Sequence, residues 1–183
     1  MPRLSPVATE AMSGLQREVA AEVASGPRGV ARGPIQMWLH SPEFARIAQR
    51  LGAHCRFGSA LPARLSELAI LVTGAHWQSG YEWHGHEPLA RQAGLSDAVI
   101  EAVRTGATPV FGHKDEAVVH AFASEVWKTG NVSSTTWTEA EHMLGAQALV
   151  DLVGTLGYYG LISMTINVFG IEVPAGALDP FGR

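Results

Sequence analysis

The chain is poor in cysteine and in charge. Its 183 residues hold one cysteine, Cys55, so no intrachain disulfide can form and a disulfide-stapled secreted scaffold is excluded. Charged residues make up 16% against 46% apolar, a low figure for a surface that meets only water. That shortage predicts burial of part of the surface against another copy of the chain. The net charge of −4 and the absence of any Lys/Arg cluster argue against a nucleic-acid partner, because phosphate binding needs a basic patch. The opening stretch "MPRLSPVATEAMSGL" has no apolar run of signal-peptide length, and a cytoplasmic location is the expectation. No run alternates with period two over several strands, and there is no solenoid repeat, low-complexity tract or interdomain linker. What remains predicts one all-α domain over residues 1–183, with about seven or eight helices.

Residues 152–171, "LVGTLGYYGLISMTINVFGI", carry no charge over twenty positions. The length would suffice to cross a bilayer. Four glycines and the polar Thr155, Ser163, Thr165 and Asn167 favour instead a helix buried in the fold or shared between subunits, with no membrane partner. Upstream, Thr9 reads as the cap of a helix reaching about Ala24. Ser41 caps a second, with Pro42 in its first turn. A third covers "LPARLSELAILVTGAHW" with an apolar stripe. The next runs from about Gly80 to Ala93, stops at Gly94 and should kink at Pro88. Ser96 opens a short helix ending near Thr105, and another ends at Gly130. Thr138 and Glu141 have capping-box spacing at the head of one or two long helices.

The chemistry concentrates in "HWQSGYEWHGHEPLARQAG", residues 76–94. Glu82 and His86 are four apart and share one helix face, whereas His84 points elsewhere. A metal site would need a third ligand from Glu67 or His76, and no bound metal is expected. A carboxylate and an imidazole on one face can share a proton, and apolar walls from Trp77, Tyr81 and Trp83 would tune them. The plain alternative is a buried Glu–His pair that satisfies only itself. The scattered His40, His54, His113, His120 and His142 read as surface or core, and Trp38, Trp127 and Trp137 as core or interface.

The stretch "LPARLSELAILVTGAHWQSGYEWHGHEPLARQAGLSDAVIEAVRTG" resembles the carboxymuconolactone decarboxylase family, which includes the alkylhydroperoxidase D branch. The shared pattern is a Glu-bearing helix, a turn of small residues, E-W-x-x-H and "AGLSDAVIEAV". With "YYGLISMTINVFGIEVPAG" the resemblance covers roughly residues 34–176, and it implies the alkylhydroperoxidase D-like helical fold. In the peroxidase branch a glutamate, a Cys-x-x-Cys pair and a histidine act together. Glu67 falls in the glutamate slot and His86 in the histidine slot, but Ser79 and Glu82 occupy the two cysteine slots. Thiol peroxidase chemistry needs a reactive thiolate and a resolving thiol, and neither is present there.

The expectation is therefore a cofactor-free acid–base enzyme, a decarboxylase, isomerase or lactone-acting lyase. It would act on a small carboxylated or aromatic-derived substrate. Glu67, Glu82 and His86 would be catalytic, and Ser79, Tyr81, Trp83, His76 and Trp77 would bind substrate. The resemblance adds a homotrimer, or a hexamer built from trimers. The alternatives are a non-catalytic binding or scaffold member of the same fold, or a metal-dependent enzyme built on Glu82 and His86.

Overall fold

The computed structural model describes residues 2–182, and among them every regular element is helical. The chain does not begin its first α-helix at Thr9 as the sequence suggests. Residues Thr9–Ala11 form one 3-10 turn, and α1 (Gly14–Ser25) starts after Ser13. Ser13 and Gln16 close a reciprocal capping box, which satisfies two backbone N–H groups that Thr9 could not. Helices α2 (Pro34–Trp38) and α3 (Pro42–Ala53) each place a proline in the first turn. Ser41 stands before α3, but its side chain makes no capping hydrogen bond. A short π-helical turn, His54–Gly58, continues α3.

Helix α4 (Ala63–Trp77) is the central element and packs against α5, α6, α7 and α8. Its residues from Leu65 to Gly74 are all buried. The stripe read from the sequence is therefore only part of a helix enclosed on every side. Arg64 ties its start to α7 through Asp115 at 2.8 Å and Glu116 at 2.5 Å.

The exit from α4 sets the site. Gln78 takes the left-handed conformation (φ 48°) and Ser79 N–H donates to the Gly74 carbonyl at 2.9 Å. This tight reversal satisfies carbonyls at the end of α4 and lays α5 (Gly80–Gln92) beside it. Pro88 lies inside α5 without breaking it. The carbonyl it leaves without a donor belongs to His84, which is exposed and so open to water.

Helices α6 (Asp97–Thr105) and α7 (Lys114–Thr129) follow, each ended by a left-handed glycine. The last helical stretch, α8 (Ser134–Phe169), is two helices joined at Gly145, whose φ 72° and ψ 167° no other residue type adopts readily. Ser133, not Thr138, caps it. The Ser133 hydroxyl accepts from Thr136 N–H, while the Thr138 hydroxyl donates to the Ser134 carbonyl inside the helix. By length and composition α8 could cross a membrane, yet 61% of its apolar window is buried inside the fold.

The core has two parts. One gathers Leu68, Leu71, Trp83, Val99, Val119 and Leu152. The other gathers Val19, Trp38, Ala48, Ile70, Tyr158 and Ile162. Neighbouring positions of α5 serve both: Trp83 enters the first, and Tyr81 packs on the second.

Candidate acid–base site

Glu82 and His86 project from α5 at helical spacing, and Glu67 meets them from α4. All three are buried. His86 Nδ1 lies 2.7 Å from Glu67 Oε2, a short charge-assisted hydrogen bond. Its Nε2 stands 3.1 Å from Glu82 Oε1. That second contact is out of line for a hydrogen bond, so Glu82 holds the ring electrostatically. Tyr159 of α8 packs edge-on against the imidazole, with ring centres 5.0 Å apart.

Two carboxylates outweigh burial in setting the charge of this ring. Removal from water pulls the imidazole pKa down, but the field of Glu82 and the hydrogen bond to Glu67 drive it up to about 9. At neutral pH His86 is thus an imidazolium whose Nδ1–H donates to Glu67, with the Glu82 carboxylate beside Nε2 but out of line with its N–H.

Glu82 and His86 line a cavity of about 460 Å³, whose walls include Tyr81, Tyr158, Tyr159, Ile35 and Ile162. Glu67 is not in the wall. It stands behind His86 and reaches the cavity only through the ring. Both tyrosines of the 158–159 pair remain neutral phenols, because burial pushes Tyr158 up to about 12 and Tyr159 well above its ordinary value.

Of the residues expected to bind substrate, only Tyr81 lies in this wall. Trp83 is 1% exposed and packs edge-on against Phe181 in the core. Ser79 is fully buried at the start of α5. His76 stacks on Trp127 at 5.0 Å and lines a second, wider cavity of about 1050 Å³ with Phe111, His120 and Lys128. Trp77 meets Trp127 edge-on, and its carbonyl accepts from Asn167 of α8. Their place at the C-terminal end of α4 explains this: Glu67 is nearly three turns earlier on the same helix.

The cavity wall also contains Arg28, Arg32 and Arg56, which no motif or spacing in the sequence marks out. Arg28 and Arg32 come from the glycine-rich segment before α2, and Arg56 from the π-helical turn. They are far apart in sequence and show no periodicity. The only signal was "GPRGVARG", where basic residues alternate with glycines. Gly33 and Gly52 make their placement possible. A Cβ on Gly33 would stand 2.6 Å from the Tyr81 ring, and one on Gly52 would collide with Tyr158 and the Arg28 guanidinium.

Cys55 is 2% exposed, and burial pushes its thiol up. It is a poor source of thiolate. Among the described residues, no group of three His, Cys, Asp or Glu side chains has the arrangement to hold a metal ion.

No curated protein matches the chain. The profile of the carboxymuconolactone decarboxylase family matches residues 42–124, a segment running from the start of α3 into α7 and containing Glu67, Glu82 and His86. Over that segment, the helical pair α4 and α5 included, the chain is similar to the carboxymuconolactone decarboxylase family.

Proposed function

We propose that the protein is a cofactor-free acid–base enzyme acting on a small carbon acid: a decarboxylase, isomerase or lactone-acting lyase. The observation that carries this reading is an imidazolium clamped between two buried carboxylates at the wall of a cavity of small-molecule size. Each of these reactions passes through an enolate or a comparable oxyanion, and the protein must stabilise that charge and move one proton.

Glu82 and His86 meet the substrate in this reading. Glu82 takes the proton from carbon where the reaction starts by deprotonation. The His86 imidazolium stabilises the developing negative charge and supplies a proton where carbon must be protonated. Glu67 is a positioning residue: its hydrogen bond to Nδ1 fixes the ring and sustains its charge. The neutral phenol of Tyr159 closes the ring's flank.

The test is turnover of a panel of β-keto acids, unsaturated lactones and their isomers by the wild type and by Glu82→Gln. Turnover that is at least about 10²-fold weaker in the variant supports the reading. Equal turnover in both would remove it. Elemental analysis of protein purified without a histidine tag checks the absence of metal. One zinc, manganese or iron per chain, lost together with activity on chelation, would replace this reading with a metal-dependent one.

We propose further that the chain assembles as a homotrimer or as a hexamer of trimers. Support comes from exposed apolar side chains on α3 (Ile47, 71%) and α8 (Val150, 72%), which an isolated chain leaves in water.

A further inference from the structure

Five arginines of the helical scaffold each meet a carboxylate. Arg46 meets Glu18 and Glu22, Arg50 meets Glu22, Arg64 meets Asp115 and Glu116, Arg91 meets Glu87 and Asp97, and Arg104 meets Glu101. The three in the cavity wall do not. Among the described residues, Arg28, Arg32 and Arg56 form no ion pair. Arg28 donates only to the Tyr158 hydroxyl at 3.3 Å, and its Nε is buried with no acceptor. No carboxylate of the fold takes up the remaining N–H donors of these guanidinium groups, which leaves them free to bind an incoming oxyanion.

The count of charge points the same way. With Glu67 and Glu82 as carboxylates and His86 as imidazolium, the triad carries −1; three arginines add +3, and the cavity and its backing hold a net +2. Scattered surface cations are ordinary. Three cations facing one cavity, in a chain whose net charge is −4, form a local reversal of sign that attracts anions.

We infer that Arg28, Arg32 and Arg56 form an oxyanion-binding rim that holds an acidic group of the substrate, a carboxylate or a phosphate, apart from the atoms that react at His86 and Glu82. The inference rests on the acid–base reading of the site and adds a determinant of specificity to it. Arg28 and Arg32 lie in the N-terminal segment outside residues 42–124, and Arg56 lies within the matched region, so the rim joins the two. Guanidinium forks fit both carboxylate and phosphate, and direct comparison of the two decides which is held.

The experiment is isothermal titration calorimetry on the full chain at low salt. The probes are succinate, inorganic phosphate and neutral succinamide, against the wild type, Arg32→Met, Arg56→Met, Arg28→Met and His86→Asn. Succinate or phosphate should bind and succinamide should not. Arg32→Met and Arg56→Met should each weaken that binding about tenfold or more, while His86→Asn keeps it within a few-fold. Arg28→Met adds a third reading if circular dichroism shows it folded; the other two carry the test if it does not. The rim is overturned if neither anion binds, if succinamide binds equally well, or if Arg32→Met and Arg56→Met leave affinity unchanged. Loss of anion binding in His86→Asn alone would also overturn it, since the imidazolium would then be the anion's holder. That last result would leave the acid–base reading standing, so the two ideas fail separately.

Discussion

At the scale of single residues, the balance around His86 decides between a working site and a passive ion pair. Glu82→Gln and His86→Asn are near-isosteric. If the pair does chemistry, both variants should fold and assemble while turnover falls about 10²-fold or more. If it is only structural, denaturant unfolding should show a loss of about 1–3 kcal/mol with ligand affinity intact. The raised pKa of His86 makes a separate prediction. Its folded value lies above the unfolded one near 6.5, so the stabilisation it provides is complete below about 6.5 and is lost as pH rises through about 9. The melting temperature of the wild type should therefore fall between about pH 7 and pH 10 by more than that of His86→Asn. A scan of both proteins across that range, showing parallel curves, would contradict the assignment. Cys55→Ala should leave turnover unchanged, because the thiol is buried and outside the cavity wall. Much of this site was legible in sequence, since Glu82 and His86 follow helical spacing. The arginine rim was not, because its members come from irregular backbone and a π turn, where no period links position to direction. His76 and Trp77 were misplaced for a related reason: nearness in sequence to Glu82 says little once Gln78 reverses the chain.

Among the helices, glycine marks the places where pattern and structure part. The helix starting at Ser134 reads from sequence as one or two helices, and Gly145 resolves it into two. A glycine within an apolar stretch is equally consistent with a helix interior, so the sequence could not choose. The backbone there occupies a region open essentially to glycine alone, although a Cβ would meet nothing within 4 Å. Gly145→Ala should thus destabilise by about 1–3 kcal/mol through backbone strain alone. Urea unfolding measures it, and an unchanged midpoint would show that the two helices can merge without cost. The capping errors have a common cause. Thr9 and Thr138 stand near true caps, but Ser13 and Ser133 win because their side chains reach the N–H three residues on. The end of α5 at Gln92 and the whole of α6 were readable to within a residue, since Gly94 and Ser96 are strong punctuation.

For the molecule as a whole, the scarcity of charge has a visible counterpart in the apolar side chains left exposed on α3 and α8. If these faces meet in an oligomer, light scattering at micromolar concentration should give three or six times the chain mass. Val150→Lys should reduce it toward one. A monomer mass for the wild type would end the proposal. The irregular segment after α8 packs back onto α5. Pro174 contributes to the cavity of the acid–base site, Asp179 presses on Gly80 at the start of α5, and Phe181 both lines the second cavity and covers Trp83. One stretch of chain without helix or strand thus touches the helix that carries Glu82 and His86 at its N-terminal end. Trp83 is a built-in optical reporter of that contact. Phe181 lies edge-on against it, so in a variant whose other four tryptophans are replaced by phenylalanine, detachment of this segment before any helix unfolds should wet the indole and shift its emission to the red.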